Sequence, residues 1–393
     1  MPETFDFTTV QDRLAWSAGK WEKYRGRDVI PLWVADMDFA APPAVQKALA
    51  QHVAHGIYGH TIAPRELSAQ LAGDYRKRYD WAIDPQWIVW LPGLVLGLNL
   101  AVKTCCAPGE AAISFSPIYP PFLAAPKAQG RKLVDVPLKP LNAHATEFAI
   151  DFAALEKAVI TMPETRLLLL CHPHNPIGRL FSHAELEQLA EFCARHDLYV
   201  CSDEIHADLI LDGRTPHLPF GKVLSEHFPE LFKRLITLHS PSKTYNIAGL
   251  GISWAVIPDP LLRQRFRRAM QKLVPDPCSF GFTALQAILA DDDEWRQALL
   301  AQLRENRDKA SAALERMGLP HTHPQVTFLT WIDARQLASR VGNPAQWLEE
   351  HGVGLSDGSD FGRPGFLRLN FALPPALLDE ALKRMERAVA SLP

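Results

Sequence analysis

The 393-residue chain has no apolar run approaching the length that a bilayer span requires. Its first residues, MPETFDFTTVQDR, place acid where a secretory signal needs a basic start and an apolar stretch. No CxxC pair exists. The six cysteines (Cys105, Cys106, Cys171, Cys193, Cys201, Cys278) form no framework, and several sit in apolar, strand-like runs where cysteine acts as a small core residue. A reducing, cytoplasmic location is expected. There is no surplus of basic charge: 41 Lys and Arg against 44 Asp and Glu leave a net −3, so neither nucleic acid nor membrane is an expected partner. No G-x-x-x-x-G-K-[ST] loop is present, which excludes the phosphate-loop NTPases. His172, His174, Asp203, Glu204 and His206 lie near one another, but match no HExxH spacing, and Pro173 separates the first two; no metal is expected. Repeats, low-complexity tracts and long polar linkers are also missing.

What is present is an ordinary globular balance, 47% hydrophobic and 22% charged, on a chain long enough for two domains. Arg166–Cys171 is a continuous apolar run stopped by HPHNPIG, a buried strand. Ser182 to Glu185 is an S-x-x-E capping box that opens a helix with Leu186, Leu189, Ala190 and Cys193 on one face. Strands follow at 198–202, 234–238 and 251–257. This rhythm predicts an α/β fold with a mainly parallel sheet. Beyond about residue 290, Trp295, Leu299, Leu303, Ala310, Leu314 and Met317 recur at helical spacing up to Gly318. Short strands at 326–332 and 366–371 and a helix at 377–392 complete an α+β region. The expected division is a large domain at 45–285 and a smaller α+β domain from 1–44 with 286–393.

Open α/β sheets bind ligands at the carboxyl ends of their strands. Three successive strand ends here deliver Asn175, Asp203 and Lys243. Singly, they suit a turn, a helix cap and a solvated surface. Together they are the set that pyridoxal 5′-phosphate (PLP) needs. A carboxylate, Asp203, keeps the ring nitrogen protonated, an amide, Asn175, donates to the phenolate oxygen, and an amine, Lys243, reaches the aldehyde and shuttles the Cα proton. Hydroxyls of Ser240 and Ser242 can bind phosphate, as can the glycine-bearing helix start Pro92–Gly97. Tyr119 can stack on the ring.

The segments WVADMDF (33–39), HGIYGHT (55–61), SPIYPPF (116–122), CHPHNPIGR (171–179), SDEIHADL (202–209), SPSKTYNIAGL (240–250), VGLSDGSDFG (353–362) and GFLRLNF (365–371) carry a resemblance. In order and content the chain resembles fold-type I PLP-dependent enzymes, and within them the MalY/PatB-type cystathionine β-lyases. The resemblance implies a large domain with a seven-stranded, mainly parallel sheet beside the smaller α+β domain, and a homodimer with its active site at the interface. Lys243 is then the Schiff-base lysine, Asp203 the pyridinium partner, Asn175 a neighbour of the phenolate oxygen and Tyr119 the stacking ring. His206 stands where many aminotransferases carry a tyrosine that contacts the same oxygen. Backbone groups of Gly93, Leu94 and Val95, with Ser240 and Ser242, would hold the phosphate, and Arg368 would grip the substrate α-carboxylate. Two positions depart from the pattern. Gly251 replaces the phosphate-binding arginine that aminotransferases place eight residues after the lysine. His60 replaces a tyrosine that reaches across the dimer to the partner's cofactor, with Tyr58 as the other candidate. The implied activity is β-elimination from cystathionine or related cysteine S-conjugates, with transamination of an amino acid as the alternative.

Overall fold

The computed structural model describes residues 5–213, 216–271 and 273–392. Seven strands form the main sheet. Across it they run Ile88–Leu91, Ser253–Val256, Leu235–His239, Tyr199–Asp203, Thr165–Cys171, Ala111–Ser114 and Lys132–Asp135. Every pairing is parallel except the two made by Ser253–Val256, which runs against both neighbours. The cause is visible in the strands themselves. Leu167, Leu168, Leu169 and Leu170 are all fully buried, as a parallel strand covered by helices on both faces demands. Alternate residues face opposite layers: Leu168 and Leu170 join one apolar cluster, Leu167, Leu169 and Cys171 the other.

The helix His183–Arg195 begins at the expected capping box. The Ser182 hydroxyl accepts from the Glu185 N–H at 3.3 Å, and Glu185 Oε2 accepts from the Ser182 N–H at 2.9 Å. The strand expected at 251–257 is shorter than its apolar pattern. Ala248–Leu250 is a 3₁₀ turn and Gly251 has φ 58°, so the ladder starts at Ser253. Similarly, Thr327 at φ 74° breaks the run at 326–332, and the strand is Leu329–Asp333.

A second sheet pairs Leu329–Asp333, Phe366–Asn370 and Ser356–Asp357 antiparallel. The helices Glu294–Arg316 and Pro375–Ala390 pack against each other. The two ends of the chain meet, because Ile30–Pro31 pairs in parallel with Val353–Gly354. One apolar cluster runs from Phe39 and Leu67 through Leu168 to Leu329 and Met385, so both sheets share buried side chains. No helix among the described residues is long and apolar enough to cross a membrane.

Candidate active site

Strand register brings the predicted residues together. Cys171 is paired with Asp203, and Asp203 with Leu238, so three strands end level with one another. Asn175 follows the first, Asp203 closes the second, and Lys243 lies just past the third. They border a cavity of about 250 Å³ whose lining also includes Gly93, Leu94, Val95, Tyr119, His206, Ser240, Ser242 and Arg368. His60 is not part of it; it is exposed in the segment after the helix Pro43–His55. Tyr58 lies on the same segment, its hydroxyl donating to the Val53 carbonyl at 2.9 Å.

Burial sets the charges. Lys243 is pushed below the ordinary lysine range by desolvation and by Arg368, against the pull of Asp36 and Asp203. Its Nζ donates to the Ala35 carbonyl at 2.6 Å. The Asp203 carboxyl is pushed up to about 7 by burial, although it accepts the Ile205 N–H at 3.1 Å. A carboxylate this basic favours a cationic or N–H partner. His206 is held down to about 3, first by burial and then by Lys243 and Arg368, so it is neutral. Arg368 is buried and lowered to about 10 by desolvation. Burial likewise raises the Tyr119 hydroxyl.

Hydrogen bonds orient the amide and the guanidinium. Arg368 Nη1 donates to Asn175 Oδ1 at 3.2 Å, which leaves the Asn175 Nδ2 hydrogens for another acceptor. Arg368 Nη2 donates to the Trp33 carbonyl at 2.7 Å, and its plane lies over Phe361, 4.6 Å from the ring centre. Its Nε is buried without a partner among the described residues.

The opposite end of the cavity suits an anion. The helix Leu94–Cys105 begins there, with first-turn N–H groups that have no intrahelical acceptor. A Cβ built on Gly93 meets no atom within 4 Å, so protein packing does not require glycine at that point. Ser240 faces the cavity, but its hydroxyl donates to the Ile252 carbonyl at 2.7 Å and accepts the Ser242 N–H at 3.1 Å. Gly251 also lines the cavity. At φ 58°, with a Cβ only 3.1 Å from the Pro92 carbonyl, it is a position where arginine would be strained.

Sequence reasoning missed two groups. The first is the backbone of Trp33–Phe39, whose carbonyls hold Arg368 and Lys243. Asn370 Nδ2 donates to the Val34 and Asp36 carbonyls at 2.7 and 2.9 Å, and Asn246 Nδ2 to those of Met37 and Phe39 at 3.0 and 2.7 Å. Carbonyls carry no residue signature. The second is His217, whose Nε2 lies 2.8 Å from Glu204 Oε2. Of the histidines in the 172–206 cluster, His172 and His174 pair with carbonyls; the metal-capable group that comes together among the described residues, His183, Glu187 and His227, lies on two helices away from the cavity lining.

The set therefore suits a flat heterocycle with an electrophilic carbonyl at one edge and an anionic group at the other, lying beside an amino acid carboxylate. Comparison with known proteins bears on that description. Residues 27–385 match the family described as aminotransferase class I and II. Cystathionine β-lyase PatB of Bacillus subtilis is 34% identical over 98% of this chain and 100% of its own length. The crystal structure of OvoB superposes with a TM-score of 0.93 at 40% identity, covering 99% of this chain and 100% of that one. Cystalysin from Treponema denticola, solved with pyridoxal 5′-phosphate, gives 0.92 at 30% identity over 99% of both chains. The chain belongs to the aminotransferase class I and II family and, within it, to the PatB/MalY-type group.

Proposed function

We propose that the protein is a PLP-dependent carbon–sulfur β-lyase that cleaves cystathionine or a related cysteine S-conjugate to a thiol, pyruvate and ammonia. One observation carries the reading: an amine, a carboxylate and an amide from three level strand ends border one cavity with a buried arginine from the second sheet. When bound, the cofactor supplies an electron-withdrawing pyridinium that acidifies the amino acid Cα–H. Lys243 would bind the aldehyde carbon and afterwards accept the Cα proton on Nζ, a task helped by burial that favours the neutral amine. Asp203 would hold the proton at the ring nitrogen. The Asn175 Nδ2 and His206 would meet the ring oxygen, Tyr119 would offer its face, and the backbone of Gly93, Leu94 and Val95 with Ser242 would hold the phosphate. Arg368 would take the substrate carboxylate with its paired N–H groups. Val34, Leu98, Phe122 and Ile252 exclude water from these groups.

Elimination is favoured over transamination because a thiolate is a competent leaving group near neutral pH, and because the PatB relative is a named cystathionine β-lyase. The family description supports the aminotransferase reading as the alternative. The test is incubation with L-cystathionine and no keto-acid acceptor. Pyruvate and homocysteine in equal amounts are expected; turnover only after a keto acid is added would overturn the lyase reading.

A homodimer belongs to the same proposal. Ile57 and Ile62 are 68% and 80% exposed beside Val53 and Tyr58, an apolar run that water disfavours and a second copy would cover. His60 lies within it. Sedimentation velocity should give twice the monomer mass, and Ile62→Glu should lower it.

A further inference from the structure

A buried cluster behind Asp203 takes no part in the roles assigned so far. Glu204, the next residue, is 1% exposed and accepts three hydrogen bonds. The Ser202 hydroxyl and the Phe220 N–H donate to Oε1 at 2.9 and 3.1 Å, and His217 Nε2 to Oε2 at 2.8 Å. Phe220 is the first residue of the helix Phe220–His227, so the carboxylate also sits at a helix start. His217 lies against His172 with ring centres 4.8 Å apart, and His172 Nε2 donates to the Leu218 carbonyl at 3.0 Å. Backbone bonds clamp the pair of acids in place. The Asp203 carbonyl accepts from the His172 N–H at 3.0 Å, and the Glu204 N–H donates to the Leu238 carbonyl at 2.8 Å.

These contacts settle where the charge lies. A carbonyl and a carboxylate as acceptors put the protons of His172 and His217 on Nε2. Both Nδ1 atoms are then bare, and both are buried without a partner among the described residues. A second proton on either ring would be an N–H with nothing to receive it. Two cationic rings in contact would also repel, and burial holds both histidines down to about 3. The other titratable groups around Glu204 and the two rings are Asp203, His239, Tyr75, Tyr79 and Asp208, none a cation at neutral pH; the cation nearest them, Arg78, is taken up by Asp74, Asp208 and Asp293. Burial holds Glu204 above the ordinary carboxylate range, while its three donors and the helix start pull the other way, toward the ionised form. In that form its negative charge has no cationic partner and lies beyond Asp203.

We propose that Glu204 is a positioning residue whose buried charge makes Asp203 a stronger proton acceptor toward the cofactor's ring nitrogen, with His217 and His172 as the neutral shell that fixes that charge. The inference rests on the reading of Asp203 as the partner of that nitrogen. The Glu204 charge acts on Asp203 in the expected sense, raising it, as a like charge does.

The experiment uses holoenzyme reconstituted with ¹⁵N-labelled PLP and follows the ring-nitrogen resonance across pH in wild type, Asp203→Asn and Glu204→Gln, with thermal unfolding alongside. Glu204→Gln should lower the pH at which the ring nitrogen loses its proton by about one unit. It should cut kcat several-fold and leave KM unchanged. An unshifted resonance in Glu204→Gln, with Asp203→Asn displaced, overturns the inference and leaves the role of Asp203 standing. If Asp203→Asn leaves the resonance where it is in wild type, both fall together. Should Glu204→Gln fail to fold, Glu204→Met removes the same charge with a side chain of similar length and should move the midpoint in the same direction; no movement there is equally fatal.

Discussion

Strand tips of the main sheet offer side chains to the cavity, whereas the strap Trp33–Phe39 offers its backbone. Asn175, Asp203 and Lys243 point functional groups inward. The strap gives the Trp33 carbonyl to Arg368 and the Ala35 carbonyl to Lys243. Its own acids turn the other way: Asp36 and Asp38 both pair with Arg13, and Asp38 takes the buried Lys20 at 2.7 Å. On the proposed reading one wall is chemical and replaceable only at the cost of rate. The other sets positions, and its loss should appear first as misalignment and lowered stability.

The widest separation between the two walls is expected from Lys243→Ala. Turnover should fall by about 10³-fold or more with stability little changed, and borohydride should no longer fix the cofactor to the protein. A retained fixed cofactor in that variant would remove Lys243 from its role. Arg368 touches both walls. Arg368→Lys should lower kcat/KM by about 10²-fold, mostly through KM, since one ammonium replaces a forked donor. Asn370→Ala addresses the strap alone. It removes two hydrogen bonds to the half-buried Val34 and Asp36 carbonyls and should cost about 2 kcal/mol in denaturant unfolding, with a smaller loss of activity. Stability unchanged in that variant would mean that the strap does not depend on its asparagine.

Acid distinguishes the walls most finely. In cofactor-free protein, burial keeps His172, His206 and His217 neutral down to about 3 and His174 down to about 4. The unfolded chain protonates them below about 6.5. It binds more protons throughout that window, so stability falls as pH drops, by about 1.4 kcal/mol per unit for each histidine. Asp203, raised to about 7, offsets one such contribution between its ordinary range and that value, because there the folded state binds the extra proton. All four histidines lie at or behind the strand tips, His206 lining the cavity and His217 packed on His172, and the strap has none. Hydrogen exchange should show amides near 171–175 and 203–206 losing protection before those of 33–39; the reverse order would break the distinction.

The same contrast explains what was legible. Buried parallel strands read as unbroken apolar runs, and the residue that ends each run stands at a fixed place, so Asn175, Asp203 and Lys243 were visible together. Ala111–Ser114 is only four residues of small and β-branched side chains, and Lys132–Asp135 is a partly exposed sheet edge, so neither announced itself. The Ser240 hydroxyl reads as a phosphate ligand, yet its proton goes to the Ile252 carbonyl, twelve residues on and just before the strand that starts at Ser253. His217 stands thirteen residues from Glu204 with no spacing rule to join them. Main-chain acceptors such as Trp33 and Ala35 have no side-chain signature at all.

Asn246 follows Lys243 by three residues and Asn370 follows Arg368 by two, and both grip the same strap. Amine and guanidinium therefore share one tether. On the proposed reading, a substrate carboxylate arriving at Arg368 competes with the Trp33 carbonyl, two peptide units from the carbonyl that restrains Lys243. Recognition of the acid end of a substrate and readiness of the base that attacks it are then a single linked equilibrium, and each must alter the other by the same factor.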